Sequence, residues 1–279
     1  MVSDTARLDG KVVLITGGSQ GLGEATARLA KARGAAGLVL VARDRSKGQR
    51  VAADLTGDGC RAIFVEAELA SADACAGAIA ITDREFGVVH GVVSCAALTD
   101  RGSVWDTTVE LWDAMLDINV RAPFLLMQGA AKIMAREGVP GSMINIGSVT
   151  GHGGQEYLTP YAVSKGALQS MTRNLAWSLM RNHIRVNQVN LGWMDTPAED
   201  AIQRKFHGAG DDWLEKAEAA QPTGRLIKPD EVARTLCFLL SEESGLMTGA
   251  VIDFDQSVLG AGFIPKPPPE LLHTPDRKP

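Results

Sequence analysis

The sequence predicts an α/β fold built on one doubly wound parallel sheet with helices on both faces. Two observations support this prediction. Short apolar runs alternate along the chain with stretches of helical period, a pattern typical of parallel strands joined by crossover helices. The chain has 279 residues, 45% of them hydrophobic and 30 of them glycine, so it can bury a large core and form many tight turns. We therefore expect a single domain.

Seven apolar runs are predicted to form the strands. They lie near residues 12–16, 38–42, 62–66, 88–94, 142–147, 185–190 and 250–254. Ligands of open parallel sheets bind beyond the carboxyl ends of the strands. The residues at these predicted ends include Thr16, Ser94, Ser148 and Gly192. We expect them to share one edge of the sheet and to border a binding site.

The turn after the first strand has the composition of a nucleotide-binding turn. It reads Thr-Gly-Gly-Ser-Gln-Gly-Leu-Gly from Thr16 and leads into a predicted helix over 24–33. Gly17, Gly21 and Gly23 let the backbone approach a pyrophosphate, and the N–H groups at the helix start favour negative charge. The spacing differs from the usual G-x-G-x-x-G, so the turn by itself only suggests a bound dinucleotide.

A tyrosine and a lysine four residues apart lie on a later helix. Thr159 is predicted to cap this helix, Pro160 to occupy its first position, and apolar spacing to extend it to about Met180. Tyr161 and Lys165 then share one face. An ammonium about 4 Å from the phenol would lower the phenol's pKa by roughly three units, less the opposing effect of burial. Such a tyrosine can exchange a proton with a carbonyl oxygen near neutral pH.

With two further motifs, these features resemble the short-chain dehydrogenase/reductase family from about Leu8 to about Leu259. The T-G-x-x-x-G-x-G turn and the Y-x-x-x-K pair are accompanied by Ile-Asn-Ile-Gly-Ser, which ends at Ser148, and by Asp-Ile-Asn-Val, which contains Asn119. The segment Leu-Gly-Trp-Met-Asp-Thr matches the family's P-G-x-x-x-T. The resemblance implies a Rossmann-like fold with a lid after strand six and the catalytic residues Asn119, Ser148, Tyr161 and Lys165.

The resemblance also implies a nicotinamide cofactor, NADP(H) in preference to NAD(H). Ala42 stands where NAD-selecting relatives have an aspartate, and Arg43 follows it; a guanidinium suits the 2′-phosphate of NADP(H). Arg45 and Lys47 add positive charge nearby, whereas Asp44 is the alternative, an acceptor for the ribose of NAD(H). The residues expected to hold the cofactor are Gly17, Ser19, Gln20, Gly21, Leu22, Gly23, Arg43, Glu68, Leu69, Ala96, Tyr161, Lys165, Gly192, Met194 and Thr196.

Three departures from the family pattern are visible. The segment after the fourth strand reads Ser-Cys-Ala-Ala from Ser94 where most relatives have N-N-A-G, and we expect Ser94 to replace only part of the first asparagine's hydrogen bonds. Leu191 replaces the proline of the P-G segment, and Glu68 replaces an aspartate near the adenine. None of the expected catalytic residues is affected.

By resemblance, the substrate is expected to bind between the sheet edge and a lid over about 196–223. The pocket wall is expected to include His152, Gly153 and Met194, besides the candidate substrate-binding residues Ser148, Gln155, Tyr157 and Trp193. These amide, hydroxyl and aromatic groups suit a moderately polar substrate such as a sugar, polyol or hydroxy ketone. In the lid, His207 is interpreted as a surface residue rather than a catalytic base.

The predicted function is an NADP(H)-dependent oxidoreductase that acts on CH–OH groups and interconverts a secondary alcohol and a ketone by hydride transfer, with Tyr161 as acid and base. A 3-oxoacyl carrier reductase is an alternative, but an acidic carrier protein would need a basic surface, and residues 195–218 are more acidic than basic. A non-catalytic, cofactor-binding regulator is a second alternative, suggested by the Ser-Cys-Ala-Ala segment and Leu191.

The composition limits the expected partners to a small-molecule substrate and further copies of the chain. A net charge of −5 without a basic stripe argues against nucleic acid. No apolar run reaches membrane-spanning length, so a cytoplasmic protein is expected. The cysteines lack both C-x-x-C spacing and a His cluster, which argues against a metal site or disulfides; they are Cys60, Cys75, Cys95 and Cys237.

Two helical stretches, 109–137 and 160–180, carry more apolar side chains than one sheet face can cover. By resemblance they pair with a second copy, which predicts a homotetramer or homodimer; the alternative is that both are core helices. The catalytic domain is expected to span 1–262, followed by a proline-rich tail over 263–279 that is interpreted as extended and flexible rather than as cover for a neighbour's site. The apolar residues of the two stretches include Trp112, Met115, Leu116, Phe124, Met127, Met134, Leu168, Met171, Leu175, Trp177 and Leu179.

Overall fold

The computed structural model describes residues 6–257, and the predicted tail over 263–279 lies outside them. In the described range the chain forms one parallel sheet, as predicted, in the order β3-β2-β1-β4-β5-β6-β7. The chain therefore winds outward from β1 in one direction and outward from β4 in the other. The strands are β1 (Val12–Thr16), β2 (Gly37–Ala42), β3 (Arg61–Glu66), β4 (Gly91–Ser94), β5 (Gly141–Ser148), β6 (Ile184–Leu191) and β7 (Val251–Phe254).

Helices cover both faces of this sheet. On one face lie α1 (Gly21–Ala32), α2 (Arg45–Leu55) and α9 (Pro229–Leu240). On the other face lie α3 (Ala72–Phe86), α5 (Ala122–Glu137) and α6 (Thr159–Leu179), with α4 (Val109–Leu116) packed beside α6. The lid at the carboxyl edge contains α7 (Pro197–His207) and α8 (Trp213–Ala219).

The first strand is buried on both sides because it is apolar up to its last residue, Thr16. All residues of β1 are buried: Val13 and Ile15 contribute to the core under α1 and α9, whereas Leu14 contributes to the opposite core under α5. Burial of each such side chain contributes about 1.5–3 kcal/mol to folding. The strand ends that face the cleft are therefore held by a rigid core.

Two predicted boundaries differ from the structure. The strand expected over 88–94 begins at Gly91: the His90 backbone N–H donates to the carbonyl of Val12, but the regular pairing with β1 starts one residue later. Thr159, the predicted cap of the catalytic helix, is instead its first residue, preceded by Leu158 without a side-chain cap. Propensity alone fixes helix ends only to within one or two residues.

The stretch predicted as one long helix over 109–137 contains a turn of π-helix. This turn spans Asp117–Arg121 and joins α4 to α5. Such turns are frequent at functional sites, and this one carries the buried Asn119. Over residues 6–257, no helix combines the length and the apolarity needed to cross a bilayer.

Candidate active site

A cleft of about 1160 Å³ opens at the carboxyl edge of the sheet. Its walls come from the lid and from the segments that follow β1 to β6, the edge at which open parallel sheets bind ligands. The predicted site residues that line it are Gly17, Ser19, Gln20, Gly21, Leu22, Gly23, Arg43, Glu68, Leu69, Ala96, Ser148, Gln155, Tyr157, Tyr161, Lys165, Gly192, Trp193, Met194 and Thr196. Asn119 lies behind the wall, 1% exposed.

The glycine turn after β1 has no room for side chains. Gly17 has φ +66°, and a Cβ there would lie 3.0 Å from the backbone nitrogen of Ala96. A Cβ on Gly23 would lie 2.3 Å from the carbonyl oxygen of Gly17. Gln20, at the start of α1, makes no side-chain cap, which leaves the first N–H groups of the helix available to an anion. This geometry fits the pyrophosphate of a dinucleotide.

The turn after β2 places basic and acidic groups at the other end of the cleft. Arg43 is largely exposed, with Nη1 3.7 Å from Oε2 of Glu68, and Lys47 donates to Oε1 of Gln20 at 3.0 Å. Arg45 turns away, donating to Glu66 at 2.6 Å. Asp44 accepts from the backbone N–H of Lys47 at 3.0 Å, and this bond is the main reason that the pKa of its carboxyl lies below the usual value. One oxygen of the carboxylate, Oδ1, therefore caps α2.

The predicted catalytic groups converge where β5 and α6 meet. Ser148 is the last residue of β5 and is buried; it also interacts with Tyr161 strongly enough to affect the titration of the phenol. Lys165 is 2% exposed, and its Nζ donates to the carbonyl of Ile146 at 2.8 Å. The same Nζ lies 5.4 Å from the centroid of the Tyr161 ring. One turn of α6 thus brings the phenol and the ammonium to one place, as the spacing predicts.

The predicted direction of the tyrosine's titration is wrong for the protein alone. Burial is the main cause that raises the pKa of Tyr161 to about 12, and the negative charge of Glu199 raises it further. A hydrogen bond with Ser148 and the positive charge of Arg101 act in the opposite direction and lower this pKa. Burial likewise lowers the pKa of Lys165 to about 8, so its ammonium form still predominates near pH 7. Burial dominates because both groups lie deep in the cleft, a depth that the spacing of two residues on a helix does not reveal.

Asn119 supports the cleft from behind. Its Oδ1 accepts from the backbone N–H of Leu98 at 2.8 Å, and its Nδ2 donates to the Leu98 carbonyl at 2.9 Å and to Oγ of Ser164 at 3.0 Å. Ser164 precedes Lys165 on α6. The asparagine therefore ties the π-turn to the loop after β4 and to the catalytic helix.

The segment that departs from the family pattern after β4 makes fewer bonds than expected. The Ser94 hydroxyl is buried and has no hydrogen-bond partner among residues 6–257, so within this range it replaces none of the asparagine's hydrogen bonds. The nearby backbone N–H of Ala96 instead donates to Oγ1 of Thr16 at 3.0 Å. Burial raises the pKa of the Cys95 thiol to about 12, which keeps this cleft-lining thiol protonated and unreactive near neutral pH.

The substrate end of the cleft differs in part from the expected wall. His152 and Gly153 do not line it; Nε2 of His152 lies 3.1 Å from Oδ1 of Asp253. The lining residues that were not predicted from the sequence include Arg101, Glu199 and Gln203. Oε1 of Glu199 accepts from Nε1 of Trp193 at 2.9 Å and from Nε2 of Gln203 at 2.7 Å.

His207 is exposed, as expected from the sequence, and it borders this end of the cleft. It lines the cleft and packs against Tyr157, with the ring centroids 5.5 Å apart. Burial and the charge of Arg101 lower the pKa of His207, so its imidazole is predominantly neutral at pH 7. Arg101 follows β4 at the sheet edge where parallel sheets bind ligands, and this position was the sequence signal that could have indicated its group with His207 and Tyr157.

Two tryptophans hold the lid together. Trp193 stacks on Trp213 with centroids 6.4 Å apart. Trp213 is 8% exposed, packs with Ala217 and Leu226, and donates its Nε1 to Asp200 at 2.7 Å. Over residues 6–257 no three metal-ligating side chains cluster. The site therefore consists of a groove with a glycine turn at one end, a half-buried phenol beside a buried ammonium, and a lid of mixed polarity.

Known proteins resemble the chain over most of its length. The family model described as enoyl-(acyl carrier protein) reductase matches residues 17–257. The short-chain reductase NovJ of Streptomyces niveus is 32% identical over 88% of this chain and 92% of its own. The 3-oxoacyl-[acyl-carrier-protein] reductase FabG of Thermotoga maritima is 31% identical over 89% of this chain and 98% of its own. Among solved structures, L-sorbose reductase from Gluconobacter frateurii, complexed with NADPH and L-sorbose, superposes with a TM-score of 0.84 at 26% identity and covers 91% of this chain and 98% of that one.

Proposed function

Because the chain belongs to the short-chain dehydrogenase/reductase family, we propose that it interconverts a secondary alcohol and a ketone with NADP(H), acting on CH–OH groups. One observation carries the proposal. The Ser148 hydroxyl, the Tyr161 phenol and the Lys165 ammonium line one end of a cleft whose other end is a glycine turn that fits a pyrophosphate. The mixed polarity of the substrate end supports a moderately polar substrate, with Gln155, Tyr157 and Trp193 as contacts.

The proposed chemistry uses the groups in fixed roles. In reduction, the cofactor, when bound, supplies a hydride to the carbonyl carbon. Tyr161 donates its proton to the carbonyl oxygen, which becomes the alcohol hydroxyl, and accepts that proton in the reverse direction. Ser148 donates a hydrogen bond to the same oxygen and stabilises the negative charge that develops on it. Lys165 holds the nicotinamide ribose, and Asn119 positions Lys165 through Ser164.

The test is turnover, measured by the absorbance of the reduced nicotinamide with NADPH and NADH and a panel of ketones. The wild type should reduce some of them, and Tyr161→Phe should lower kcat more than about a hundredfold while cofactor affinity stays within about twofold, because the phenolic proton is lost but the ring is kept. Tyr157→Phe, at the second tyrosine, should change KM rather than kcat. Wild-type turnover by Tyr161→Phe would refute the assignment, and no turnover by the wild type would favour a non-catalytic regulator.

We infer NADP(H) rather than NAD(H) from the turn after β2. Arg43 lies at the cleft mouth with an exposed guanidinium, which suits a phosphate. Asp44, the candidate acceptor for the ribose of NAD(H), uses its Oδ1 to accept from the N–H of Lys47 and the hydroxyl of Ser46, and its Oδ2 lies 3.8 Å from Nζ of Lys47. Lys47 lines the same part of the cleft and adds positive charge.

Reduction of a 3-oxoacyl thioester on a carrier protein is the second candidate, favoured by the similarity to the Thermotoga maritima enzyme. The acidic excess in residues 195–218 weighs against it, because an acidic carrier docks on basic surfaces. The two candidate functions are separated by comparing kcat/KM for the acetoacetyl thioester of a carrier protein with kcat/KM for that of N-acetylcysteamine. A carrier-dependent gain in kcat/KM would support this candidate, and equal rates would oppose it.

We propose that the chain assembles with copies of itself in the cytoplasm. A groove of about 390 Å³ between α5 and α6 is lined by Phe124, Met127, Leu175 and Leu179 among others. Trp177, on the exposed side of α6, is 77% exposed. Apolar surface of this kind is unusual on a soluble monomer. The four cysteines are free thiols, as expected in a reducing compartment.

A further inference from the structure

Arg101 lies at the substrate end of the cleft, on the loop after β4. Its Nε donates to Nε2 of His207 at 3.2 Å, and its Nη1 donates to the Thr99 carbonyl at 2.9 Å. Its guanidinium carbon is 5.7 Å from the centroid of the Tyr157 ring and 5.9 Å from that of Phe206. The side chain is half-buried. Two neutral acceptors and two rings therefore fix the guanidinium in place.

No carboxylate among residues 6–257 forms an ion pair with Arg101. The neighbouring lid cations are paired, Arg204 with Asp200 at 3.0 Å and Lys205 with Asp100 at 3.1 Å. The hydrogen-bond partner of Arg101 in the lid, His207, has a lowered pKa and carries no negative charge. The guanidinium thus keeps an uncompensated positive charge and further N–H groups, those of Nη2 among them, for a ligand.

The positive charge of Arg101 affects the titration of Tyr161. It lowers the pKa of Tyr161, whereas Glu199 raises it, so both charges lie near the proton-transfer group. Glu199 is held by Trp193 and Gln203 and does not pair with Arg101. Two opposite charges therefore face the substrate end without forming an ion pair with each other.

We propose that Arg101 binds a carboxylate of the substrate, so that the enzyme acts on oxo acids and the corresponding hydroxy acids. This inference rests on the proposed function of the cleft as an alcohol and ketone site. A guanidinium fork matches the two oxygens of a carboxylate. A monoanion suits the cleft better than a phosphate dianion, because the carboxylate of Glu199 in the same cleft repels a second negative charge.

The competing role for Arg101 is mechanical. Its contacts to Tyr157, Phe206 and His207 join the loop after β4 to the end of α7, and a latch of this kind would close the lid over any substrate. Loss of a latch would weaken binding of charged and neutral ligands alike. Loss of a carboxylate partner would weaken the binding of acids selectively. The two roles are therefore distinguished by the ratio of acid affinity to amide affinity and not by the overall loss of affinity.

The experiment is calorimetric titration of matched ketones into the protein saturated with the oxidised form of whichever cofactor it binds more tightly, so that no reduction occurs. The pairs are pyruvate with pyruvamide, acetoacetate with acetoacetamide, and levulinate with levulinamide, which place the charge at increasing distance from the ketone. In at least one pair the wild type should bind the acid about tenfold or more tightly than the amide. Arg101→Gln should abolish that preference, and Arg101→Lys should retain part of it.

Lys205→Gln is the matched control, because it removes a lid cation that does not line the cleft; the preference for the acid should persist. A wild type that shows no preference in any pair, or an Arg101→Gln variant that keeps the preference, overturns the proposal. An equal loss for acid and amide assigns Arg101 the latch role instead. Turnover of these ketones is measured separately: preferential binding of acids without turnover would support the carboxylate site and contradict the proposed function.

Discussion

Tyr161 lies within reach of two opposite charges, and each should shift its titration in a predictable direction. The negative charge of Glu199 disfavours the phenolate, so Glu199→Gln should lower the kinetic pKa of alcohol oxidation, in which the phenolate is the base. The positive charge of Arg101 favours the phenolate, so Arg101→Gln should raise that pKa. The rising limb of kcat against pH measures both shifts.

The isosteric variant Asp100→Asn serves as control for this pair of shifts. Asp100 lies beside Arg101 in sequence but pairs with Lys205 at 3.1 Å. Removal of the Asp100 charge should leave the rising limb of kcat against pH at its wild-type position. Shifts of the same sign in Glu199→Gln and Arg101→Gln would show that lid closure, rather than charge, controls the titration.

Arg43 and Arg45 allow a matched test of cofactor choice. Both are exposed arginines of the turn after β2, but Arg43 lines the cleft whereas Arg45 is bonded to Glu66. Arg43→Ala should weaken NADPH binding about tenfold or more and leave NADH nearly unchanged, because a charge-assisted contact to the 2′-phosphate is lost. Arg45→Ala should change neither. Fluorescence titration of both reduced cofactors decides, and a wild type that prefers NADH would refute the choice.

Among the elements, the lid depends on one buried ring. Trp213 stacks on Trp193 and fills the small core of α8. Trp213→Ala should raise the KM of the substrate about tenfold and leave cofactor affinity within about twofold, because only the segment that closes over the substrate loosens. Trp105→Ala, at a half-exposed ring outside the cleft, should alter neither. Steady-state kinetics and cofactor titration measure both.

The elements also show which features a sequence can predict. The seven strands were predictable because runs such as that of β1 are apolar at every position and end at polar or glycine residues. The positions of Arg101 and Glu199 in the cleft were not predictable. Their proximity depends on how α7 folds back over the loop after β4, and no periodic pattern in the sequence indicates such a long-range contact. The sequence predicted that burial would oppose the effect of Lys165 on Tyr161 but not that burial would dominate, because helical spacing gives the shared face and not the depth of the cleft.

At the scale of the whole molecule, the apolar residues of α5 and α6 divide into two groups. Met127 and Leu168 are buried in the chain's own core, whereas Phe124 and Trp177 are exposed. The excess expected from the sequence is therefore smaller than the list of apolar residues suggests, but it is concentrated beside one groove. This distribution favours an interface between copies over two ordinary core helices.

Trp177→Glu should convert the assembly to monomers, because a carboxylate buried without a partner opposes association. Light scattering at micromolar protein concentration measures the mass. Trp105→Glu places the same charge at another exposed ring and should leave the mass unchanged. A monomeric wild type would eliminate the interface.

Asp44 links cofactor choice to the integrity of a helix. A rotation that turned its Oδ1 toward a ribose would release the backbone N–H of Lys47 and the hydroxyl of Ser46 and would fray the start of α2. An acid introduced at Ala42 would meet no such conflict. In descendants of this chain, a change of cofactor should therefore arise more readily by mutation at position 42 than by reorientation of the carboxylate already present two residues later.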